Sequence, residues 1–389
     1  MSVDYDVVVV GARVAGAPTA MLLARRGHRV LLIDRATMPS DTVSTHAILR
    51  TGTFQLQRWG LLDKLIEAGT PPINDIVLGF GEERVRFRVR PEFGVTSFYG
   101  PRRHVLDSLL VDAAVEAGAE FQGGTRMTGL LRGPGDEIRG VEIDDRHPVT
   151  ARIVVGADGV HSRVATLVGS KSYRSHEATN AVSYAYYENV PFPGFWFQFS
   201  PGVNAGLIAT NDDQCLAFVG RPTRELKRFR GDPEGEFSRL LRLGGTDLAD
   251  HVEEGRRVGG FRGTPGLPGF IRQSWGSGWV LVGDAGYTKD PISAHGISDA
   301  LRDAELCARA LDRFLTDRDP QALAWYQSIR DRLSARMFEE SRSLASYRWS
   351  PDQASQRMRR ISEAVRHECH ALEKLPEWSA AGASSGVSR

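Results

Sequence analysis

The sequence predicts an α/β fold in three layers, with an antiparallel sheet inserted into a parallel one, and three observations predict it. Tyr5 to Arg35 reads as strand, glycine turn, helix and strand. Ile153 to Val155 and Trp279 to Val282 are further apolar runs, each delivering a turn that carries Gly and Asp. Between them, Ala181 to Val219 is a set of short aromatic and β-branched segments separated by Pro, Gly and Asn. Strands buried in a parallel sheet are apolar on both faces, whereas antiparallel strands are short and punctuated by turn residues.

In the first stretch, Tyr5 to Val10 is β-branched and carries no charge after Asp6. Gly11 ends it, Met21 to Arg26 continues a helix, Gly27 closes that helix as a left-handed cap, and Arg29 to Ile33 is the second strand, ending on Asp34. This is a Rossmann-like βαβ unit, suited to a dinucleotide. Gly11 allows the tight turn, Gly16 lets helix pack on strand, and the free N–H groups of the helix start offer a pyrophosphate site. Asp34 can accept from both hydroxyls of an adenosine ribose and would repel a 2′-phosphate, which selects FAD or NAD over NADP. Ala12, Ala15 and Arg35 adjoin these positions and join them as candidate contacts. The middle glycine of the GxGxxG pattern is Arg13, whose guanidinium can compensate by meeting a phosphate.

At 389 residues the chain exceeds one usual core. A net charge of +1 with signs mixed gives no reason to expect nucleic acid. Cys215, Cys307 and Cys369 are far apart and lack CxxC spacing, as suits a reducing cytoplasm. The first apolar run is too short to span a bilayer or act as a signal peptide. The expectation is a cytoplasmic protein without a membrane span.

Further along, Asp41 to His46 leaves the second strand as a loop, and Thr53 to Glu67 has helical spacing. Ile76 to Phe80 and Val85 to Val89 form a hairpin whose Arg84, Arg86, Arg88 and Arg90 mark a solvated face. Arg102 and Arg103 open a helix, His104 to Glu116, ended by Gly118. Strands follow around Glu120 and at Val141 to Ile143, and Ile153 to Val155 delivers the turn Gly156 to Ala165, which contains Asp158. In the inserted sheet, Tyr184, Tyr186, Trp196 and Phe197 are candidate substrate contacts. Arg221 to Val258 reads as helical and Gly259 to Gly269 as a Gly/Pro link. Trp279 to Val282 then ends in Gly283 and Asp284, a carboxylate able to hold ribityl hydroxyls. Pro291, Gly296 and Ile297 lead into a long helix whose positive end favours an anionic ring. Helices follow at Trp325 to Ala345 and after Pro351, and the tail from Ser379 is expected to be disordered. His367, Cys369 and His370 lack a fourth ligand at zinc spacing, so no metal is expected.

Taken in order, these motifs resemble the FAD-dependent class A monooxygenases, the para-hydroxybenzoate hydroxylase-like superfamily, over roughly residues 3 to 310. Gly11, Gly16 and Asp34 look like its dinucleotide fingerprint. Asp158, Gly159, Ser162 and Val164 look like its Asp-Gly motif, and Gly283 and Asp284 like its Gly-Asp motif, with Pro291, Gly296, Asp303 and Ala304 in register. Arg103, three residues before Leu106, is similar to the family arginine that reaches the flavin side chain. Four positions depart from the pattern: Arg13, Ala165, Tyr287 and Ala294.

The resemblance implies an FAD-binding domain in three parts, residues 1–72, 101–178 and 269–320. A substrate domain of 73–100 and 179–268 and C-terminal helices in 321–389 complete it. It also implies a monooxygenase in which NAD(P)H reduces FAD and one oxygen atom of O₂ passes to an aromatic or polycyclic small molecule. A flavin-dependent reductase or dehydrogenase, a halogenase (disfavoured by the lack of a WxWxIP stretch) and a flavin-binding protein without turnover are the alternatives. His46 and His295, both in loops at the sheet's carboxyl edge, are the candidate catalytic residues. They are placed beside the flavin ring, with substrate between them and the strand around Trp196, because a histidine titrating near neutrality can orient or deprotonate a phenol.

Overall fold

The computed structural model describes residues 3–144, 147–192, 194–376 and 378. The tail from Ser379 lies outside the described residues.

The strand Tyr5–Val10 sits inside a parallel sheet, flanked by Val30–Ile33 on one side and Val149–Gly156 on the other. Glu120–Gln122 and Trp279–Leu281 extend the parallel order outward. The alternation of side chains along a strand sorts this run of valines into two layers. Val7 and Val9 pack with the helices Gly16–Arg25, Arg103–Glu116 and Gly296–Thr316. Val8 and Val10 pack with Met127, Ile138, Val141 and Trp279 on the other face, where the antiparallel strands Met127–Arg132 and Ile138–Ile143 lie. Two glycines fix the first turn. A Cβ on Gly16 would lie 1.8 Å from the Gly11 carbonyl oxygen, and Gly11 has φ +104° with its own Cβ direction blocked by the Ala157 carbonyl at 2.4 Å. Helix and strand approach this closely only without side chains.

The second sheet runs in the order Arg256–Thr264, Asn180–Glu188, Gln214–Pro222, Val203–Ala209, Phe195–Ser200, Asp75–Phe80, Glu83–Arg88. It is antiparallel except that Phe195–Ser200 pairs in parallel with Asp75–Phe80. One face is covered by Pro233–Gly244 and Thr246–Glu254, where Tyr187 stacks on Phe237 and Trp196 meets His251. The other face turns toward the first sheet and the helices Ala322–Ala345 and Pro351–Glu373, which contribute Met337, Leu344, Ala354 and Ile361 to its core. The last helix begins with a capping box of Ser350 and Gln353.

Two expected elements differ. Thr53 to Glu67 is two helices, Arg50–Arg58 and Leu62–Glu67, broken where Gly60 turns to φ +73°. The segment expected as a Gly/Pro link begins inside the edge strand Arg256–Thr264, whose backbone pairs with Asn180–Glu188 through a register shift. Only part of Arg221 to Val258 is helical, since Arg256 onward joins that strand. Backbone pairing does not depend on side chains, so glycines at a sheet edge can still be a strand. Among the described residues no helix is long and apolar enough to cross a membrane.

Candidate functional site

A cavity of about 810 Å³ runs between the carboxyl ends of the parallel strands and the inward face of the second sheet. That volume lies in the upper part of the usual range for a single ligand site. Strand ends supply one wall: Gly11 after the first strand, Asp34 after the second, Asp158 after Val149–Gly156 and Asp284 after Trp279–Leu281. Open parallel sheets bind ligands at this edge because the loops diverge there.

Asp34 sits where the sequence placed a ribose acceptor. Its Oδ2 accepts from Ala12 N–H and its Oδ1 from Ala36 N–H, each at 2.8 Å, so the carboxylate is oriented while each oxygen keeps a lone pair. The helix Gly16–Arg25 has no side-chain cap, so the donors of its first turn are free of side-chain acceptors. Arg13 lines the cavity and donates to Asp107 Oδ2 at 2.5 Å and to Ser40 Oγ at 3.0 Å. Arg103 grips the same buried Asp107 from one helical turn away, with Nη2 to Oδ1 at 2.9 Å. One acid therefore holds two guanidiniums beside the uncapped helix start. Asp158 lines the cavity, yet its oxygens are taken by Ser162 Oγ at 2.5 Å and by the N–H groups of Arg163 and Val164. It holds its turn.

At the far end, Asp284 presents its surface to the cavity while lying deep in the molecule. Burial raises its carboxyl to about 6, against the pull of Lys289, and the open cavity side tempers that shift. Lys289 lines the same wall and pairs with Asp299. Asp290 accepts from Asn180 Nδ2 and Ile292 N–H on Oδ1, its Oδ2 has no partner, and burial raises it to about 7. Gly296, first residue of the helix Gly296–Thr316, lines the cavity and has nothing within 4 Å of its Cβ direction. An elongated cavity with an oriented carboxylate at one end, an uncapped helix start in the middle and a second carboxylate and helix start at the other fits FAD.

Of the expected cofactor contacts, Gly11, Arg13, Ala15, Asp34, Arg35, Arg103, Asp158, Asp284, Pro291, Gly296 and Ile297 line this cavity. Ala12, Gly16 and Gly283 are not among its lining residues, and the first two act through backbone geometry.

The two histidines part company. His46 lines the cavity at φ +65°, a left-handed conformation costing a non-glycine residue roughly 1–2 kcal/mol. Its Nε2 is 2.6 Å from the Tyr186 hydroxyl and its Nδ1 has no partner. Burial, reinforced by Arg103, pushes it down to about 3. The expected titration near neutrality is thus corrected: this imidazole is neutral at pH 7 and a poor base. His295 does not line the cavity. Its ring turns away from the neighbouring Ala294 and Gly296 wall to place Nε2 3.0 Å from Glu368 Oε2.

The aromatic candidates are sorted by register. Tyr184 lines the cavity and its hydroxyl accepts from Ser44 N–H. Tyr186 stands behind His46 without lining the cavity. Phe197 shares the Tyr184 face, but Phe218 and Gly206 lie between them in the pairing, about 14 Å away at three strand spacings. Trp196 pairs opposite Leu207, Ala217 and Ala185 in line, on the helix-covered face. Trp196 and Phe197 are core, which corrects their expected substrate role. Sequence reading missed Asp107, Lys289 and Asp299. Asp107 had a signal, the i,i+4 spacing from Arg103. The other two are paired only in the fold.

Comparison with known proteins follows this geometry. The family described as FAD binding domain matches residues 4–341. A menaquinone reductase of Mycobacterium tuberculosis is 28% identical over 386 residues, 89% of this chain and 85% of that one. A digeranylgeranylglycerophospholipid reductase of Methanopyrus kandleri is 29% identical over 327 residues, 79% of each chain. The structure of PqsL from Pseudomonas aeruginosa in complex with 2-aminobenzoylacetate superposes with a TM-score of 0.80 at 24% identity, covering 92% of this chain and 99% of that one. With the match running over most of its length, the chain belongs to the FAD binding domain family and is an FAD-dependent oxidoreductase.

Proposed function

We propose that this protein is a monooxygenase that uses NAD(P)H and O₂ to hydroxylate an aromatic or polycyclic small molecule. The observation that carries the reading is the wall where the cavity meets the inserted sheet. There the uncharged His46 imidazole, its ring buried and held by the Tyr186 hydroxyl, stands beside the Tyr184 phenol in one wall. Such a wall offers a phenolic or carbonyl substrate the Tyr184 hydroxyl as its hydrogen-bonding group, with His46 fixing the wall's shape from behind. With its basicity suppressed, His46 positions and does not abstract a proton.

When bound, FAD accepts hydride and activates oxygen, and the chain supplies position and dryness. Asp34 would hold the adenosine ribose. Arg13 and Arg103, locked by Asp107, would meet the pyrophosphate beside the uncapped helix start. Asp284 would take the ribityl hydroxyls, and the space beside Gly296 would admit the flat ring. The second sheet would close over it with Val182, Tyr184, Gly263 and Thr264, and Leu267 follows in the link beyond. The same fold holds 2-aminobenzoylacetate in PqsL, and aklavinone beside FAD in aklavinone-11 hydroxylase.

A second reading, a flavin-dependent reductase, is favoured by the curated relatives, which are named as reductases and align over most of both chains. A proton-inert His46 also suits it. The test is to screen aromatic compounds and isoprenoid quinones for stimulated NAD(P)H oxidation by the yellow protein, with and without oxygen. Stimulated turnover that consumes O₂ and yields a hydroxylated product supports the monooxygenase. Turnover that proceeds anaerobically and yields a reduced acceptor overturns it in favour of the reductase.

A further inference from the structure

The family match ends at residue 341, yet the helix Pro351–Glu373 beyond it sends a carboxylate into the buried network behind the cavity wall. Glu368 is fully buried and its oxygens join three elements. Oε1 accepts from Arg302 Nη1 at 2.7 Å, inside the helix Gly296–Thr316. Oε2 accepts from Thr51 Oγ1 at 3.1 Å, on the helix Arg50–Arg58, and lies 3.0 Å from His295 Nε2. His295 is the residue before Gly296, where the wall opens to the cavity. His295, Asp299 and Glu368 together resemble a metal triad. Their carboxylates, however, are already paired with Arg302 and Lys289, which leaves them as a buried charge network.

In that network Arg302 and Lys289 face Asp299, Asp303 and Glu368. Glu368 is the member that comes from outside the nucleotide-binding frame, and it is tied to the turn that opens onto the cavity at Gly296. A carboxylate gripped by donors from separate elements fixes their relative placement, and in a medium of low dielectric its charge acts over several ångströms.

We propose that Glu368 is a positioning residue for the flavin: it holds the His295–Gly296 turn against the ring and supplies a negative charge beneath the helix start, which lowers the cofactor's reduction potential. The proposal rests on FAD lying against Gly296. Removing the charge leaves the positive end of the helix less opposed, so the reduced, more anionic ring is favoured.

The test uses the FAD-loaded full chain with Glu368→Gln. Its control is Glu363→Gln, an exposed acid on the same helix that pairs with Arg336. Thermal unfolding, FAD Kd by flavin fluorescence and the two-electron midpoint potential are measured for each. Glu368→Gln is expected to raise Kd about tenfold and to move the midpoint positive by about 30 mV, a tenfold change in the redox equilibrium. Glu363→Gln should do neither. A role confined to docking the helix would lower the unfolding temperature while leaving Kd and potential within twofold of the parent, and that result overturns the proposal. Should Glu368→Gln not fold, His295→Gln cuts the same link from the other end while leaving the Glu368 charge in place: a rise in FAD Kd supports the proposal, and an unchanged Kd overturns it. A parent protein that takes up no FAD would instead remove the cofactor reading on which the proposal rests, a result distinct from normal uptake with unaltered variants.

Discussion

The parallel sheet meets the cavity with strand ends, the inserted sheet with the faces of two neighbouring strands, Asn180–Glu188 and Arg256–Thr264. At the parallel sheet the polar groups, Asp34, Asp158 and Asp284, each follow a buried strand by one to three residues and are set by the turns behind them. At the inserted sheet Val182 and Tyr184 are every second residue of Asn180–Glu188, and the residues between them face the covering helices. A site made of strand ends is fixed by where strands stop, which a sequence displays. A site made of a strand face is fixed by strand order and register, which a sequence displays only as alternation.

Substitutions that act on one sheet and spare the other put this difference to the test. The largest effect is expected from Trp196→Ala. This side chain is buried against Phe192 and His251 beneath the covering helices, so its loss should destabilise the fold by about 3–5 kcal/mol. FAD affinity of the folded variant should stay near the parent's, measured by chemical unfolding and FAD titration. A tenfold loss of affinity at full stability would place Trp196 at the cavity after all. A smaller effect belongs to Tyr184→Phe, which removes the acceptor of Ser44 N–H at the cavity wall. It should cost about 0.5–1.5 kcal/mol, read as a several-fold rise in substrate KM with flavin content unchanged. If flavin is lost while KM holds, Tyr184 belongs to the cofactor side.

Much of the fold was legible because valine-rich runs ending in glycine state both burial and strand end. Gly11, Gly16 and Gly27 marked turn, packing and cap from residue type alone. Less was legible at the site. Asp34, Asp158 and Asp284 were readable as cavity-lining positions because each is an acid just past an apolar strand, but that Asp158 spends its oxygens on Ser162 and the first N–H groups of its own short helix was not. His46 and His295 had equal claims in the sequence. Which ring faces the cavity depends on Glu368, 73 residues further on from His295, and on Tyr186 behind His46. Trp196 and Tyr184 differ by face and strand order, and aromatic composition carries neither.

The most direct test of the account is the pH dependence of FAD affinity in the parent and in Asp284→Asn. Asp284 is raised to about 6 from its ordinary 3.8, so the folded apoprotein holds a proton between those values that the unfolded chain does not, and stability declines as pH rises through about 6. Ribityl hydroxyls donate to the ionised carboxylate, so FAD binding expels that proton and affinity must rise with pH over the same window. Kd of the parent is predicted to fall from pH 5 to pH 7, by up to about tenfold with the open cavity side reducing the effect, and then to level, with proton release on binding near pH 5. Asp284→Asn should bind more weakly at pH 7 and show a nearly flat profile. A parent Kd independent of pH between 5 and 7, or an identical slope in Asp284→Asn, would contradict the placement of FAD against Asp284.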